Sequence, residues 1–101
     1  MKSKTLKYYI EECGKEANLK GWKVTWEMYP AYLLATIDEL SDSFDSGWRD
    51  DNKAKAFEEI GDCLIRLFHI IHDLNIPIEE ILERLMEENK KRPYKHGHKR
   101  I

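Results

Sequence analysis

Apolar residues recur every three or four positions along most of this chain, which is the spacing of amphipathic helices. The pattern predicts a first helix from about Thr5 to Leu19 and a second from about Pro30 to Ser46, where Gly47 is expected to end it. A third helix is predicted after possible N-caps at positions 50–52, and a fourth from Pro77 to a point before Pro93. No segment shows the alternation that is typical of a strand.

Each predicted helix carries an apolar stripe that we expect to form the core. The stripes comprise Leu6, Tyr9, Ile10, Cys13 and Ala17, then Leu33, Ile37, Leu40 and Phe44, then Phe57, Ile60, Leu64 and Ile71, and finally Ile78, Ile81, Leu82, Leu85 and Met86. Four such segments, with short connections between the last three, predict an all-α fold with an antiparallel four-helix arrangement. At 101 residues the chain is expected to form a single domain over 1–101.

Charge is abundant and unevenly distributed. Charged residues make up 36% of the chain, and the formal net charge is -2. The region from Asp38 to Asp62 is acidic, whereas the stretch from Lys90 to Arg100 is basic and is expected to form a tail from about residue 93. A pI near 6.1 argues against a dedicated nucleic-acid binder. The middle of the chain is therefore expected to attract cations, and the tail anions such as phosphate.

The cysteines and the hydropathy of the chain restrict its location. Cys13 and Cys63 fall inside predicted helices, with no second cysteine or histidine at zinc-finger spacing, so both are expected to be reduced. No apolar run approaches the roughly 18 residues that span a bilayer, and the first residues are too charged for a signal peptide. We therefore expect a cytoplasmic protein without a membrane partner.

Four carboxylates occur as two pairs at helical spacing. Glu39 and Asp42 are three positions apart on the second predicted helix, and Glu59 and Asp62 are three apart on the third. Each pair thus projects from one face of its helix. A short turn joins the two helices, so the pairs are expected to face each other. Acidic residues at this spacing more often form a solvated face, but two such pairs on adjacent helices favour a metal site.

Carboxylate oxygens without a histidine or thiolate partner select a hard cation. Two unit charges about 4 Å apart repel by roughly 4 kcal/mol at an effective dielectric constant of 20, so a bound cation would compensate the four. The donor set predicts Mg²⁺, with Mn²⁺ as a substitute. Gly61 lies between Glu59 and Asp62, where glycine costs about 1 kcal/mol relative to alanine. Either close approach of a ligand or a tight packing contact would explain it.

The segments IDELSDSFDSG, FEEIGDCLIRL and NIPIEEILERLMEENKKRPYKHG resemble the MazG-like, all-alpha nucleoside triphosphate pyrophosphohydrolases. The resemblance covers about residues 30–97. The Glu-Glu-x-x-Glu motif of that family aligns with Asp38, Glu39 and Asp42, and its Glu-x-x-Asp motif with Glu59 and Asp62. Aspartate replaces glutamate at positions 38 and 42, and Glu88 stands where the family has a lysine.

The resemblance implies a reaction and a set of roles. A nucleoside triphosphate and water would give the monophosphate and pyrophosphate, with Mg²⁺ held by the four carboxylates. Asp38, Glu39 and Glu59 are expected to take part in catalysis, Asp38 by orienting the attacking water. Phosphate or substrate contacts are expected downstream, from Asn89, Arg92, Tyr94 and Lys95. Family members form dimers or dimers of dimers, so the resemblance also implies a homodimer or homotetramer.

Two further readings stay open beside this one. The first is a non-catalytic helical dimerisation module that keeps the fold, which the substitutions at Asp42 and Glu88 favour. The second is a phosphoribosyl-ATP pyrophosphohydrolase, which shares the carboxylate chemistry. For base recognition, the aromatic residues Trp22, Trp26 and Tyr29 precede the second predicted helix, and Trp26 is the preferred candidate because its loop leads into that helix. Arg66 and His69 extend the polar stripe of Glu59 and Asp62 and could neutralise the carboxylates or touch substrate.

Overall fold

The computed structural model describes residues 3–94, and over that range the chain is all-α. The helices are α1, Leu6–Leu19, α2, Tyr29–Asp42, α3, Lys53–Asp73, and α4, Ile78–Lys90, and a π-helical segment, Ser43–Trp48, follows α2 directly. All four predicted helices are present. Within the described range no helix combines the length and the apolar character needed to cross a membrane.

Side-chain N-caps are present at the start of two helices, α1 and α3. Thr5 Oγ1 accepts a hydrogen bond from the amide of Tyr8 at 3.0 Å and starts α1. Of the three possible caps before α3, Asn52 is the one used, because its Oδ1 accepts from the amide of Lys55 at 3.1 Å. Each bond satisfies an amide that has no partner within the first turn of a helix.

The prediction that Gly47 ends the second helix is wrong. The chain leaves α-helical geometry at Asp42 and continues as the π-helical segment through Gly47 to Trp48. Its wider turns are seen in the bond from the amide of Arg49 to the carbonyl of Phe44, at 2.9 Å, five residues back. Gly47 serves packing instead, since a Cβ there would lie 2.5 Å from that of Ala56 on α3.

Helix α3 is the centre of the fold, and α1, α2 and the π-helical segment all pack on it. Gly14 brings α1 close, because a Cβ at that position would lie 2.1 Å from the ring of His72. The core that results is small. Among the described residues its buried apolar members are Ile10, Val24, Cys63 and Ile70.

Most of the predicted apolar stripe of α2 and α3 is not buried within the chain. Exposure ranges from 44% to 72% for a group that we name the α2–α3 apolar set: Ile37, Leu40, Phe44, Trp48, Phe57, Ile60 and Leu64. Trp48 belongs to no predicted stripe, but for the other six the expectation that they form the core is wrong for the single chain. Their helical spacing is real, but their side chains remain largely exposed to solvent.

The chain is also less compact than a monomer of its size. No residue of α4 is buried, and within the described range this helix makes at most marginal contact with the others. The radius of gyration is 16.1 Å, against about 13 Å for a compact chain of this length. The accessible surface is 8465 Å², against about 6,000 Å² for a compact monomer. The predicted four-helix packing is thus not completed within one chain.

Candidate metal centre

Helices α2 and α3 bring three of the four predicted carboxylates together. Glu39 and Asp42 lie near the C-terminal end of α2, and Glu59 lies in the second turn of α3. One carboxylate oxygen from each residue lies within 4.8 Å of the other two. Glu59 is buried, Glu39 is partly buried and Asp42 is exposed. The cluster is therefore open to solvent on one side and closed by α3 on the other.

The spacing of these oxygens suits a hard divalent cation after a small adjustment. Magnesium binds oxygen at 2.0–2.1 Å, so two of its ligands lie at most about 4.2 Å apart. Oxygens that are up to 4.8 Å apart need to close by a few tenths of an ångström, or to act through a bound water. Asp42 is exposed, and because its side chain is the shortest of the three it has the least reach toward a shared ion.

Two cationic side chains already compensate this negative charge. Lys55 Nζ lies 2.9 Å from Glu59 Oε1, one turn earlier on α3. Arg66 Nε lies 3.1 Å from Glu39 Oε1 and so links α3 to α2. The hydrogen bond with Lys55 is the main cause that lowers the pKa of Glu59, and a hydrogen bond with Glu39 is the second. Burial opposes this shift. The hydrogen bond between Lys55 and Glu59 in turn raises the pKa of Lys55. Glu59 is consequently ionised at neutral pH and ready to bind a cation.

Asp62 and Asp38 take different positions from these three. The Asp62 carboxylate is exposed and stays outside the 4.8 Å group, although it lines the same cavity as Glu39. Asp38 is exposed on α2 and is also outside the group. The position of Gly61 is open, since a Cβ there would meet nothing within 4 Å. A tight packing contact within the chain therefore does not explain this glycine.

A cavity of about 700 Å³ adjoins the carboxylates. Its wall is formed by residues of α1, α2, α3 and the connection between α1 and α2. Glu39, Asp62 and Arg66 supply charge to this wall, and most of the other lining residues are apolar or small. Cys13 also lines it, and burial, together with Glu12, raises the pKa of its thiol, which disfavours the nucleophilic thiolate.

The buried carboxylate of Asp73 holds the surroundings of this cavity in place. It accepts hydrogen bonds from the amide of Val24 at 2.8 Å and from Asn18 Nδ2 at 3.1 Å. His72 Nδ1 lies 2.7 Å away and His69 Nε2 2.8 Å away. Burial raises the pKa of Asp73, but the hydrogen bonds with Val24, His72 and Asn18, together with the charge interaction with His69, outweigh burial and lower the pKa overall. Asp73 thereby joins the end of α3 to α1 and to the connection before α2.

The structure separates the two tryptophans near α2. Trp22 lines the cavity, whereas Trp26 is outside its wall and stacks on Tyr29 with ring centroids 5.2 Å apart. Trp26 was preferred from the sequence because of its proximity to α2. Of the two, only Trp22 is thus placed at the cavity.

The predicted phosphate contacts lie near the C-terminal end of the described chain. Asn89 is in the last turn of α4, and Arg92 and Tyr94 follow it. None of the three belongs to the wall of the cavity. Lys95, the fourth, lies outside the described residues. Helix α4 itself makes at most marginal contact with the other helices of the described chain.

No protein-family model, curated protein or solved structure matches this chain. The resemblance to MazG-like enzymes therefore depends on the motif residues alone.

Proposed function

We propose that this chain is a metal-dependent pyrophosphohydrolase that converts a nucleoside triphosphate and water to the monophosphate and pyrophosphate. The observation that carries the proposal is the cluster of oxygens from Glu39, Asp42 and Glu59, within 4.8 Å of one another and beside a cavity whose wall includes Glu39. An acidic cluster on its own is common on protein surfaces. Its position next to a cavity of ligand size favours a catalytic role.

The residues of the cluster fit Mg²⁺, with Mn²⁺ as an alternative. Glu39, Asp42 and Glu59 would hold the ion, and Asp62 would contribute from the cavity wall through a water or after a change of rotamer. When bound, such an ion supplies Lewis acidity toward phosphate oxygens and lowers the pKa of coordinated water. Asp38, exposed on α2, would orient the attacking water.

Arg66 adds a positive group to the same site. Its guanidinium pairs with Glu39 and also lines the cavity, so it is placed where substrate phosphates would come close to the carboxylates. Charge builds on the departing pyrophosphate during the reaction, and a fixed cation stabilises it. We propose that Arg66 shares this role with Arg92 and Asn89, which would act from a neighbouring subunit.

The proposed active form is a homodimer or a dimer of dimers. The α2–α3 apolar set and the apolar side of α4, which includes Leu82, Leu85 and Met86, are exposed in the single chain. The excess accessible surface is of the order that each subunit of an obligate dimer buries, roughly 1,000–2,500 Å². The same exposed surface supports the second candidate, a non-catalytic dimerisation module. Activity decides between the two.

Pyrophosphate release from a panel of canonical and modified nucleoside triphosphates tests the proposal. We expect Mg²⁺-dependent release from at least one member, and we expect Glu59→Gln to lower the rate roughly a hundredfold or more, as loss of a charged site residue typically does. Glu12→Gln, an equivalent change at an exposed position of α1, is the matched control and should keep the wild-type rate. Phosphoribosyl-ATP belongs in the panel to identify that activity.

Two results would contradict the proposed enzymatic activity. The first is the absence of pyrophosphate from every substrate, with Mg²⁺ and Mn²⁺ both failing to raise the melting temperature. The second is equal activity of Glu59→Gln and the wild type. The first result, combined with a stable dimer, would support the second candidate, the non-catalytic dimerisation module.

A further inference from the structure

The cavity beside the carboxylates has the dimensions and the lining of a site for a small organic ligand. Its volume of about 700 Å³ lies within the roughly 300–1,000 Å³ that is usual for such sites. Glu39 belongs both to the metal cluster and to the cavity wall, so the two are continuous. A ligand in the cavity can therefore reach a cation held by the cluster.

The uncharged part of the wall is suited to a flat ring. Ala17, Ala31 and Ala35 place only methyl groups between the helix backbones and the cavity. Trp22 and Met28 line it from the connection before α2. Trp22 is 61% exposed, and its indole has no aromatic partner among the described residues. A free indole face next to small side chains favours stacking on an unsaturated heterocycle rather than binding of a sugar or an extended peptide.

One buried polar ring interrupts this apolar wall. His69 lines the cavity and is 7% exposed. Its Nε2 is buried and lies 2.8 Å from Asp73 Oδ2, in an orientation that does not make a well-aligned hydrogen bond. The edge of the ring also meets Tyr32, with centroids 5.5 Å apart at 88°. Asp73 and Tyr32 thus hold the ring in one orientation, and Asp73 occupies the Nε2 side.

We propose that this cavity binds the nucleobase of a nucleotide, with Trp22 stacking on the base and His69 contacting its polar edge. The inference rests on the proposed function for the position of the phosphates, which must lie on the Glu39 side to reach the metal. It assigns base recognition to Trp22 in place of Trp26. It also gives the Asp73–His69 pair a purpose beyond folding, since a preoriented ring loses little entropy when it binds the base.

Nucleoside monophosphates test this site without metal or turnover. Their affinity is measured by calorimetry and by quenching of tryptophan fluorescence, with ribose 5-phosphate as the probe that lacks a base. At least one monophosphate is expected to bind tenfold or more tightly than ribose 5-phosphate. Trp22→Leu should weaken that binding roughly five- to a hundredfold, the range of one base–aromatic stack.

Trp26→Leu is the matched variant, because Trp26 is also an exposed tryptophan of the same connection but lies outside the cavity wall. It should keep wild-type affinity for the monophosphate. His69→Phe, which fills the same space, should narrow the difference in affinity between monophosphates of different bases. Circular dichroism confirms that each variant is folded.

Three results would overturn the inference: no monophosphate binds, ribose 5-phosphate binds equally well, or Trp26→Leu loses affinity while Trp22→Leu keeps it. The proposed function fails separately. If monophosphates bind in a Trp22-dependent way but no triphosphate is hydrolysed, the base site is supported and the enzymatic activity is contradicted. If a triphosphate is hydrolysed and Trp22→Leu does not change the KM, the base site is contradicted and the enzymatic activity is supported.

Discussion

Individual side chains of the carboxylate cluster are neutralised by the protein itself. Lys55 and Arg66 each contact one carboxylate that is proposed to bind metal, at 2.9 Å and 3.1 Å. These contacts relieve the repulsion among Glu39, Asp42 and Glu59 in the absence of an ion. A divalent cation that enters the cluster therefore competes with Lys55 for Glu59. The long, partly exposed lysine side chain can leave at little cost.

Removal of Lys55 should strengthen metal binding. In Lys55→Met the competing cation is absent, so we expect Mn²⁺ to bind roughly three- to tenfold more tightly than to the wild type, the effect of one nearby, partly screened charge. Calorimetry or the paramagnetic signal of free Mn²⁺ measures the affinity. Lys53→Met changes the net charge equally at an exposed position and should leave the affinity nearly unchanged. Equal affinities in Lys55→Met and Lys53→Met would show that Lys55 does not compete.

At the scale of the helices, Asp73 is the main polar connection. Its carboxylate lies at the end of α3 and accepts bonds from α1 and from the connection that carries Trp22. The close approach of α1 and α3 that Gly14 permits keeps these partners within reach. Since a buried, ionised carboxylate depends on its donors, this connection is sensitive to acid.

Asp73 should make the stability of the fold depend on pH. Its pKa is lowered from 3.8 in the folded chain, so its contribution is fully present above the unfolded value and is lost as pH falls through the folded one. Asp73→Asn should lower the free energy of unfolding at pH 7 by about 2 kcal/mol, the typical value of hydrogen bonds to a charged group. Urea unfolding at several pH values should show this difference shrinking below pH 4. A constant difference from pH 7 to pH 3 would contradict the assignment.

The existence and approximate limits of the helices followed from periodicity and caps, but their packing did not. Apolar spacing located α1 to α4, and polar spacing located Glu39, Asp42 and Glu59, because both depend on local geometry. The π-helical segment did not follow from the local pattern, and the close approach of its Gly47 to Ala56 joins residues of two elements. For the same reason, the choice of Trp22 over Trp26 needed the tertiary structure.

The whole molecule has more apolar surface than its own core can bury. The α2–α3 apolar set lies on α2, on the π-helical segment that follows it and on α3, and α4 presents a separate apolar side. Exposed apolar surface of this extent is typical of a surface that contacts another molecule. In the proposed dimer this surface would be covered, and Asn89 and Arg92 of one chain would act at the carboxylates of the other.

A charge within the α2–α3 apolar set should prevent association. The wild type is expected to sediment as a dimer or a larger oligomer, and Leu64→Asp should shift it toward the monomer, because an unpaired charge would be buried in the interface. Leu19→Asp, at the exposed end of α1 and outside that set, is the control and should leave the oligomer intact. Sedimentation velocity measures the oligomeric state of the wild type and of both variants. A wild type that remains a 12.1 kDa monomer at tens of micromolar would contradict the prediction.

The absence of any buried residue in α4 also bears on the fate of newly made chains. A helix of 13 residues is only marginally stable in water without tertiary contacts. If the chain assembles as proposed, a chain without its partner would open α4 often, and an opened segment is where proteases begin to cut. Assembled chains would be protected at the same place. Selective degradation of orphan subunits would then keep the amount of this protein matched to the amount that is assembled.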